Sequence, residues 1–168
     1  MRVAVTGTPG TGKTTAVEHA ETDLEPVHLN DVIEREALTT GRDDERESLV
    51  ADIDAVAEWL AGREDVLVES HLAHLFDADR VVVLRCQPET LTQRLDERGE
   101  AESKIEENAE SEALDLILAE AVERHGEDSV YEVDTTERTP AEVATAIEAV
   151  VAGDRAPSSG TVSFIDYL

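Results

Sequence analysis

Gly7-Thr8-Pro9-Gly10-Thr11-Gly12-Lys13-Thr14 satisfies the pattern G-x-x-x-x-G-K-[ST] at every specified position. Val3-Ala4-Val5 precedes it as an apolar run that reads as a buried strand, and Thr14 to Ala20 follows as a helix-compatible stretch. Strand, glycine-rich loop, helix is the order such a loop needs to bind phosphate. Its glycines let successive backbone N–H groups converge on phosphate oxygens, aided by the positive end of the helix that follows. Lys13 can reach the β- and γ-phosphates, and the Thr14 hydroxyl can ligate Mg²⁺. The expected ligand is a nucleoside triphosphate.

Working outward, strand and helix patterns alternate, which implies a mainly parallel sheet covered by helices. Val66-Leu67-Val68 and Arg80 to Leu84 read as buried strands, with Val130 to Val133 and Pro26 to Leu29 as weaker candidates. Leu49, Ile53, Val56 and Leu60 recur at helical spacing, as do Leu114, Ile117, Leu118, Ala121 and Val122. Pro88 suits a first helical turn and Gly99 a helix end, while Thr139-Pro140-Ala141-Glu142 is a capping box. Residues 153–160 read as a linker. Beyond them Val162, Phe164, Ile165, Tyr167 and Leu168 predict an apolar tail that docks on the body or on another chain.

The chain has 168 residues, enough for one domain and no second sizeable one. No apolar run approaches a membrane span, so a soluble, cytoplasmic protein is expected. Cys86 is the single cysteine and is expected to pack rather than react. Forty Asp and Glu against 14 Lys and Arg give a net charge of −26, and Lys13 and Lys104 are the two lysines. This acidity suits either a partner-binding face or a surface adapted to a high-salt cytoplasm. Its spread along the whole chain favours the second reading, because salt screens self-repulsion. Residues 1–17 contain no acid, and residues 80–104 balance Arg80, Arg85, Arg94, Arg98 and Lys104 against five acids. These two segments are where an anionic ligand is expected.

Arg94 and Arg98 stand one helical turn apart and can point at one phosphate chain, where arginine's planar fork pairs two oxygens at once. Surface ion pairs with Asp96 or Glu97 are the competing use. His71 and His74 are three residues apart, a weak basis for a zinc site. His19, His28 and His125 have no motif context and read as surface or packing residues.

The chain resembles the nucleoside monophosphate kinases, and more specifically the adenylate kinase subfamily that doubles as a small-ribosomal-subunit assembly factor. The resemblance rests on Thr6 to Thr15, Val68-Glu69-Ser70-His71, Val82-Val83-Leu84-Arg85, Arg94-Leu95-x-x-Arg98-Gly99, Lys104-Ile105-x-x-Asn108 and Val133-Asp134-Thr135-Thr136. It implies a three-layer α/β/α P-loop fold whose five-stranded parallel sheet has the order 2-3-1-4-5, spanning one kinase domain. Residues 28–52 would form the monophosphate-binding segment, and 97–107 a short lid from which Arg98 contacts ATP. Gly10, Gly12, Lys13, Thr14 and Thr15 would hold the donor phosphates and magnesium. Glu69 stands where the family usually has Asp, so its contact to Mg²⁺ would pass through water. His71 would position an attacking water or the γ-phosphate, and Arg35 or Arg42 would bind the AMP phosphate.

The reaction so implied is Mg²⁺-dependent phosphoryl transfer from ATP to AMP, giving two ADP, with an ATPase side activity. An ATPase switch engaging a small-subunit ribosomal protein is one alternative. A kinase for another nucleoside monophosphate, dephospho-coenzyme A or shikimate is the other. Neither DNA nor a membrane is expected as a partner.

Overall fold

The computed structural model of the protein describes residues 1–43 and 48–168, with side chains given outside 42–49. In chain order the elements are β1 (Arg2–Gly7), α1 (Lys13–His19), β2 (Glu25–His28), α2 (Leu29–Arg35), β3 (Thr39–Asp43), β4 (Ser48–Ala51) and α3 (Ile53–Leu60). There follow β5 (Val66–Glu69), β6 (Arg80–Arg85), α4 (Pro88–Glu97), α5 (Glu102–Ala113), α6 (Leu116–His125), β7 (Val130–Asp134) and α7 (Pro140–Ala152).

Five strands form one sheet in the order β2-β5-β1-β6-β7, every neighbouring pair parallel. Numbered within that sheet, the order is 2-3-1-4-5, the topology the resemblance implied. Because strand side chains alternate between faces, the apolar residues divide into two cores. Ala4, Val68, Val81, Val83 and Val130 pack on one face with Val32 of α2, Val56 and Leu60 of α3 and Ala121 of α6. Val3, Val5, Leu67, Val82, Leu84 and Val133 pack on the other with Ala16 and Val17 of α1 and Val143, Ile147 and Val150 of α7. Helices therefore cover both faces, as near-continuous apolar strands require. A third small cluster, Cys86, Leu91, Leu95 and Ile105, ties α4 to α5. Burial raises the Cys86 thiol pKa, in keeping with a packing role. Among the described residues no helix is long and apolar enough to cross a membrane.

Two expected stripes are shorter than their spacing suggested. Leu49 lies in β4, which pairs antiparallel with β3, and not on the helical stripe with Ile53, Val56 and Leu60. The reason is the cap: Asp52 accepts a hydrogen bond from the Ala55 N–H at 3.1 Å, so α3 starts at Ile53. Leu114 is exposed because Asp115 takes a left-handed φ of 56°, which separates α5 from α6. Gly99 ends α4 as expected, with φ 77°. Residues 97–107 comprise the α4–α5 turn and the first half of α5.

The C-terminal segment folds back on its own chain. Ser158 pairs with Tyr131 on the open edge of β7, its N–H donating to Val130 O at 3.0 Å and its carbonyl accepting from Glu132 N at 3.0 Å. The residues read as a linker thus cover a sheet edge. The docking is polar rather than apolar: Ile165, Tyr167 and Leu168 stay exposed, while Thr161 and Val162 donate to the buried Glu132 carboxylate.

Candidate active site

All five sheet strands point their C-terminal ends the same way, and ligands of such sheets bind outside those ends. The phosphate loop leaves β1 there. An alanine at Gly7 would place its Cβ 2.6 Å from Leu84 O and 2.9 Å from Thr11 Oγ1. At Gly10, with φ 95°, a Cβ would sit 2.9 Å from Leu91 Cδ1 and 3.1 Å from Leu95 Cδ2. The loop is therefore wedged between β6 and α4, and only a bare backbone fits. Gly10→Ala should cost about 1–3 kcal/mol through strain and overpacking. A thermal unfolding midpoint equal to that of the unchanged protein would contradict this packing.

Lys13 is buried, its ammonium donating to Gly7 O at 2.8 Å and Thr8 O at 3.1 Å. Desolvation lowers its pKa to about 8, opposed by Glu69 and assisted by Arg98. The Thr14 hydroxyl donates to Glu69 Oε1 at 3.1 Å, and His28 Nδ1 lies 2.7 Å from the same oxygen. Glu69 is buried at the end of β5, directly beside His28 at the end of β2. A hydroxyl and a carboxylate side by side at the loop are the hard oxygen donors that Mg²⁺ takes, so the residues present fit that ion. His28 had been read as surface or packing. The signal that singles it out is its position as a polar side chain at a strand's C-terminal end, in register with Glu69.

Two clefts bear on this site, one of them lined by loop residues. One, of about 330 Å³, is lined by Gly10, Gly12, Thr15, Arg94, Arg98 and Arg138, with Thr135, Pro140 and Val143 among the rest. Arg94 donates to Gly10 O at 3.2 Å and to Thr135 O at 3.4 Å, not to Asp96 or Glu97, so it braces the loop against the end of β7. Arg98 caps α4 and is exposed at the mouth. Arg138, Pro140 and Val143 were missed as lining residues. Their sequence signal is their position just after Val133-Asp134-Thr135-Thr136, at the end of β7.

The second cleft, of about 460 Å³, is lined by Asn30, Ile33, Glu34, Val50, Ala51, Ile53, His71 and Leu72. It brings His71 together with residues of the 28–52 segment. Burial, then Lys13 and His74, lower the His71 pKa to about 4, so the imidazole is neutral at ordinary pH. His74 belongs to the framework: Nδ1 is 2.8 Å from Thr6 Oγ1 and Nε2 is 2.8 Å from Glu120 Oε2. With both nitrogens engaged, it offers no second zinc ligand beside His71. Arg35 lines a different cleft, with His28, Asp31, Trp59 and Arg63, on the other side of α2. The Arg42 side chain lies outside the described residues.

The locally neutral segment 80–104 is less open to an anion than its composition suggested. Arg80 donates to Val150 O and Val151 O at the end of α7. Arg85 is buried among Glu112, Glu132 and Asp115. Of the cations in that segment, Arg94 and Arg98 are the ones that line the cleft.

Comparison with known proteins agrees with this arrangement. A family model described as an AAA domain matches residues 3–115. A Natronomonas pharaonis protein named "Putative adenylate kinase" is 64% identical over 168 residues, covering 100% of both chains. Proteins of the same name from Halobacterium salinarum and Methanothermobacter thermautotrophicus are 61% and 45% identical, the first covering 100% of both chains and the second 99% of this chain and 98% of its own. Solved structures of a gluconokinase from Sinorhizobium meliloti (21% identity, TM-score 0.56, 90% of this chain and 91% of that one) and a shikimate kinase from Aquifex aeolicus (18%, 0.56, 92% and 98%) share the fold. With the phosphate loop, the strand order and full-length relatives all in agreement, the chain belongs to the archaeal adenylate kinase family of P-loop proteins.

Proposed function

We propose that the protein is a cytoplasmic adenylate kinase, transferring the γ-phosphoryl group of ATP to AMP to give two ADP. The observation that carries this reading is that loop residues line one cleft with Arg94 and Arg98, while a second cleft joins residues of the 28–52 segment to His71, which the charge of Lys13 reaches. Donor nucleoside occupies the cleft of Arg94, Arg98 and Val143, and acceptor the cleft of Asn30, Val50 and His71. A phosphate oxygen of AMP attacks the γ-phosphorus, and the bond to the β–γ bridging oxygen breaks, leaving ADP on both sides. Lys13 gives up its carbonyl partners for β- and γ-phosphate oxygens. The loop amides about Gly10, Gly12, Thr14 and Thr15 hold the donor, and Arg98 covers the charge that spreads over the equatorial oxygens. Thr14 and Glu69 are the residues that would hold a magnesium ion, which when bound would supply charge neutralisation for the phosphates. His28 keeps the Glu69 carboxylate oriented. Residues 97–107 act as the lid, excluding water that would otherwise take the phosphoryl group. Adenylate kinase naming of the relatives supports the acceptor assignment.

A second activity is favoured by His71. A neutral imidazole on the acceptor side of Lys13 can orient a water when AMP is absent, giving slow ATP hydrolysis. The family resemblance extends that hydrolysis to small-ribosomal-subunit maturation, with a basic small-subunit ribosomal protein as partner for the −26 surface.

The test is ADP and phosphate release in concentrated salt with Mg·ATP and, in turn, AMP, CMP, UMP, GMP, shikimate and dephospho-coenzyme A. ADP should rise at twice the rate of ATP loss with AMP alone. Phosphorylation of another acceptor in preference to AMP overturns the kinase assignment. Phosphate release unchanged by ribosomal protein overturns the second activity's extension.

A further inference from the structure

Arg85 is about as buried as any side chain in the protein, at 1% exposure, yet its guanidinium is fully engaged. Nε donates to Glu112 Oε1 at 2.5 Å and Nη1 to Glu132 Oε2 at 2.6 Å. Nη2 donates to Glu112 O at 3.1 Å and to the Asp115 carboxylate. Each of the two buried glutamates uses its remaining oxygen elsewhere. Glu112 Oε2 accepts from the Thr8 hydroxyl at 2.6 Å, and Thr8 is part of the phosphate loop. The Thr8 carbonyl in turn accepts from Lys13 Nζ at 3.1 Å and Thr11 Oγ1 at 2.8 Å. At the far end, Glu132 Oε1 accepts from Thr161 N at 2.9 Å, Thr161 Oγ1 at 2.9 Å and Val162 N at 3.2 Å. The Phe164 ring lies 5.3 Å from the guanidinium carbon.

An unbroken path of charge-assisted hydrogen bonds thus runs from the C-terminal segment through Glu132, Arg85 and Glu112 to the loop. Apolar residues of similar volume would stabilise the fold at least as well as such buried charges. What a fully bonded network adds is fixed geometry at both ends. Glu132 carries one oxygen that Arg85 does not reach, and the tail's two amides and hydroxyl are its donors. Glu112 also lies in the last turn of α5, so the same group anchors that helix.

We infer that residues 157–168 position the phosphate loop for the donor nucleotide, and that Glu132, Arg85 and Glu112 are the positioning residues that transmit this. The inference rests on the kinase reading for its donor, though not on the choice of acceptor.

Five full-length variants test it: Glu132→Gln, Arg85→Lys, the milder Thr161→Val, which changes only an exposed rim residue, Thr8→Val, and the Thr8→Val/Thr161→Val double. KM for Mg·ATP, KM for the acceptor, kcat and the thermal midpoint are measured for each. Weakening the charge-assisted hydrogen bonds of the path should raise KM for Mg·ATP about tenfold in Glu132→Gln and Arg85→Lys, and about threefold in Thr161→Val. KM for the acceptor should stay within about twofold, since its cleft shares no member of the path. Thr8→Val and Thr161→Val do not touch, so independent sites would give additive effects on the free energy of ATP binding. Transmission predicts instead that the double variant loses no more than the worse single one. A lower midpoint with unchanged KM for Mg·ATP, equal rises in both KM values, or additive Thr8 and Thr161 effects would each overturn the inference. Should the unchanged protein fail to bind Mg·ATP at all, the kinase reading itself falls, an outcome separate from these.

Discussion

Lys13→Ala should remove ATP-dependent turnover by about 10³-fold or more, because the ammonium is the charge buried at the centre of the donor loop. Two carbonyls hold it inside the loop, where on the proposed reading the β- and γ-phosphate oxygens would arrive. The same variant should unfold at no lower temperature than the unchanged protein. Desolvation holds the Lys13 pKa at about 8 against the ordinary lysine value of 10.5, so the folded state bears a cost for that charge. The sign follows from proton counts. Between pH 8 and 10.5 the unfolded chain keeps a proton on Lys13 that the folded chain has lost, so stability contributed by this group rises with pH across that window. Lys13→Ala should lack that rise. Phosphates restore the charge, so ATP binding near pH 8 should take up protons, read by calorimetry in buffers of different ionisation enthalpy. Retention of full turnover in Lys13→Ala would remove the donor site from this loop.

Arg98→Ala should lower kcat about a hundredfold while changing ATP affinity far less. Arg98 lies at the C-terminal cap of α4, followed by Gly99 with φ 77°, on the turn that leads into α5. Its guanidinium is exposed at the mouth of the donor cleft, and its field already reaches Lys13. On the proposed reading, an arginine so placed would meet the phosphoryl group chiefly as charge spreads during transfer. Arg94 should behave differently. Tied to Gly10 O and Thr135 O, it supports the loop in the resting state, so its removal should affect ATP affinity as well as rate. Equal kcat and KM values for Arg98→Ala and the unchanged protein would show that the 97–107 turn plays no part in closure.

The five main strands and the phosphate loop could be read from residues adjacent in the chain. Alternating apolar runs such as Val81-Val82-Val83-Leu84 bury on both faces wherever they fall, and the loop pattern carries its own backbone requirement in Gly7, Gly12, Lys13 and Thr14. Helix ends were legible where a cap was local, as with Thr139 and Glu142. Apolar spacing alone extends α3 back to Leu49, whereas the Asp52 cap starts the helix at Ile53.

Charges were the least legible feature, because what a charged side chain does depends on which distant partners the fold delivers. Arg85 and Arg94 look alike within their segment. One is buried against Glu112 and Glu132, the other braces the loop beside an open cleft. Arg35 and Glu34 are adjacent in the chain, yet α2 sends them into different clefts, Arg35 with Trp59 and Arg63 and Glu34 with His71. His28 gained its meaning only when parallel pairing set it beside Glu69. Local backbone and hydrophobic patterning therefore established the fold and the donor loop, since both act over a few residues. Long-range pairing assigned each ionisable group its role, because the energy of a charge is decided by neighbours that lie tens of residues away.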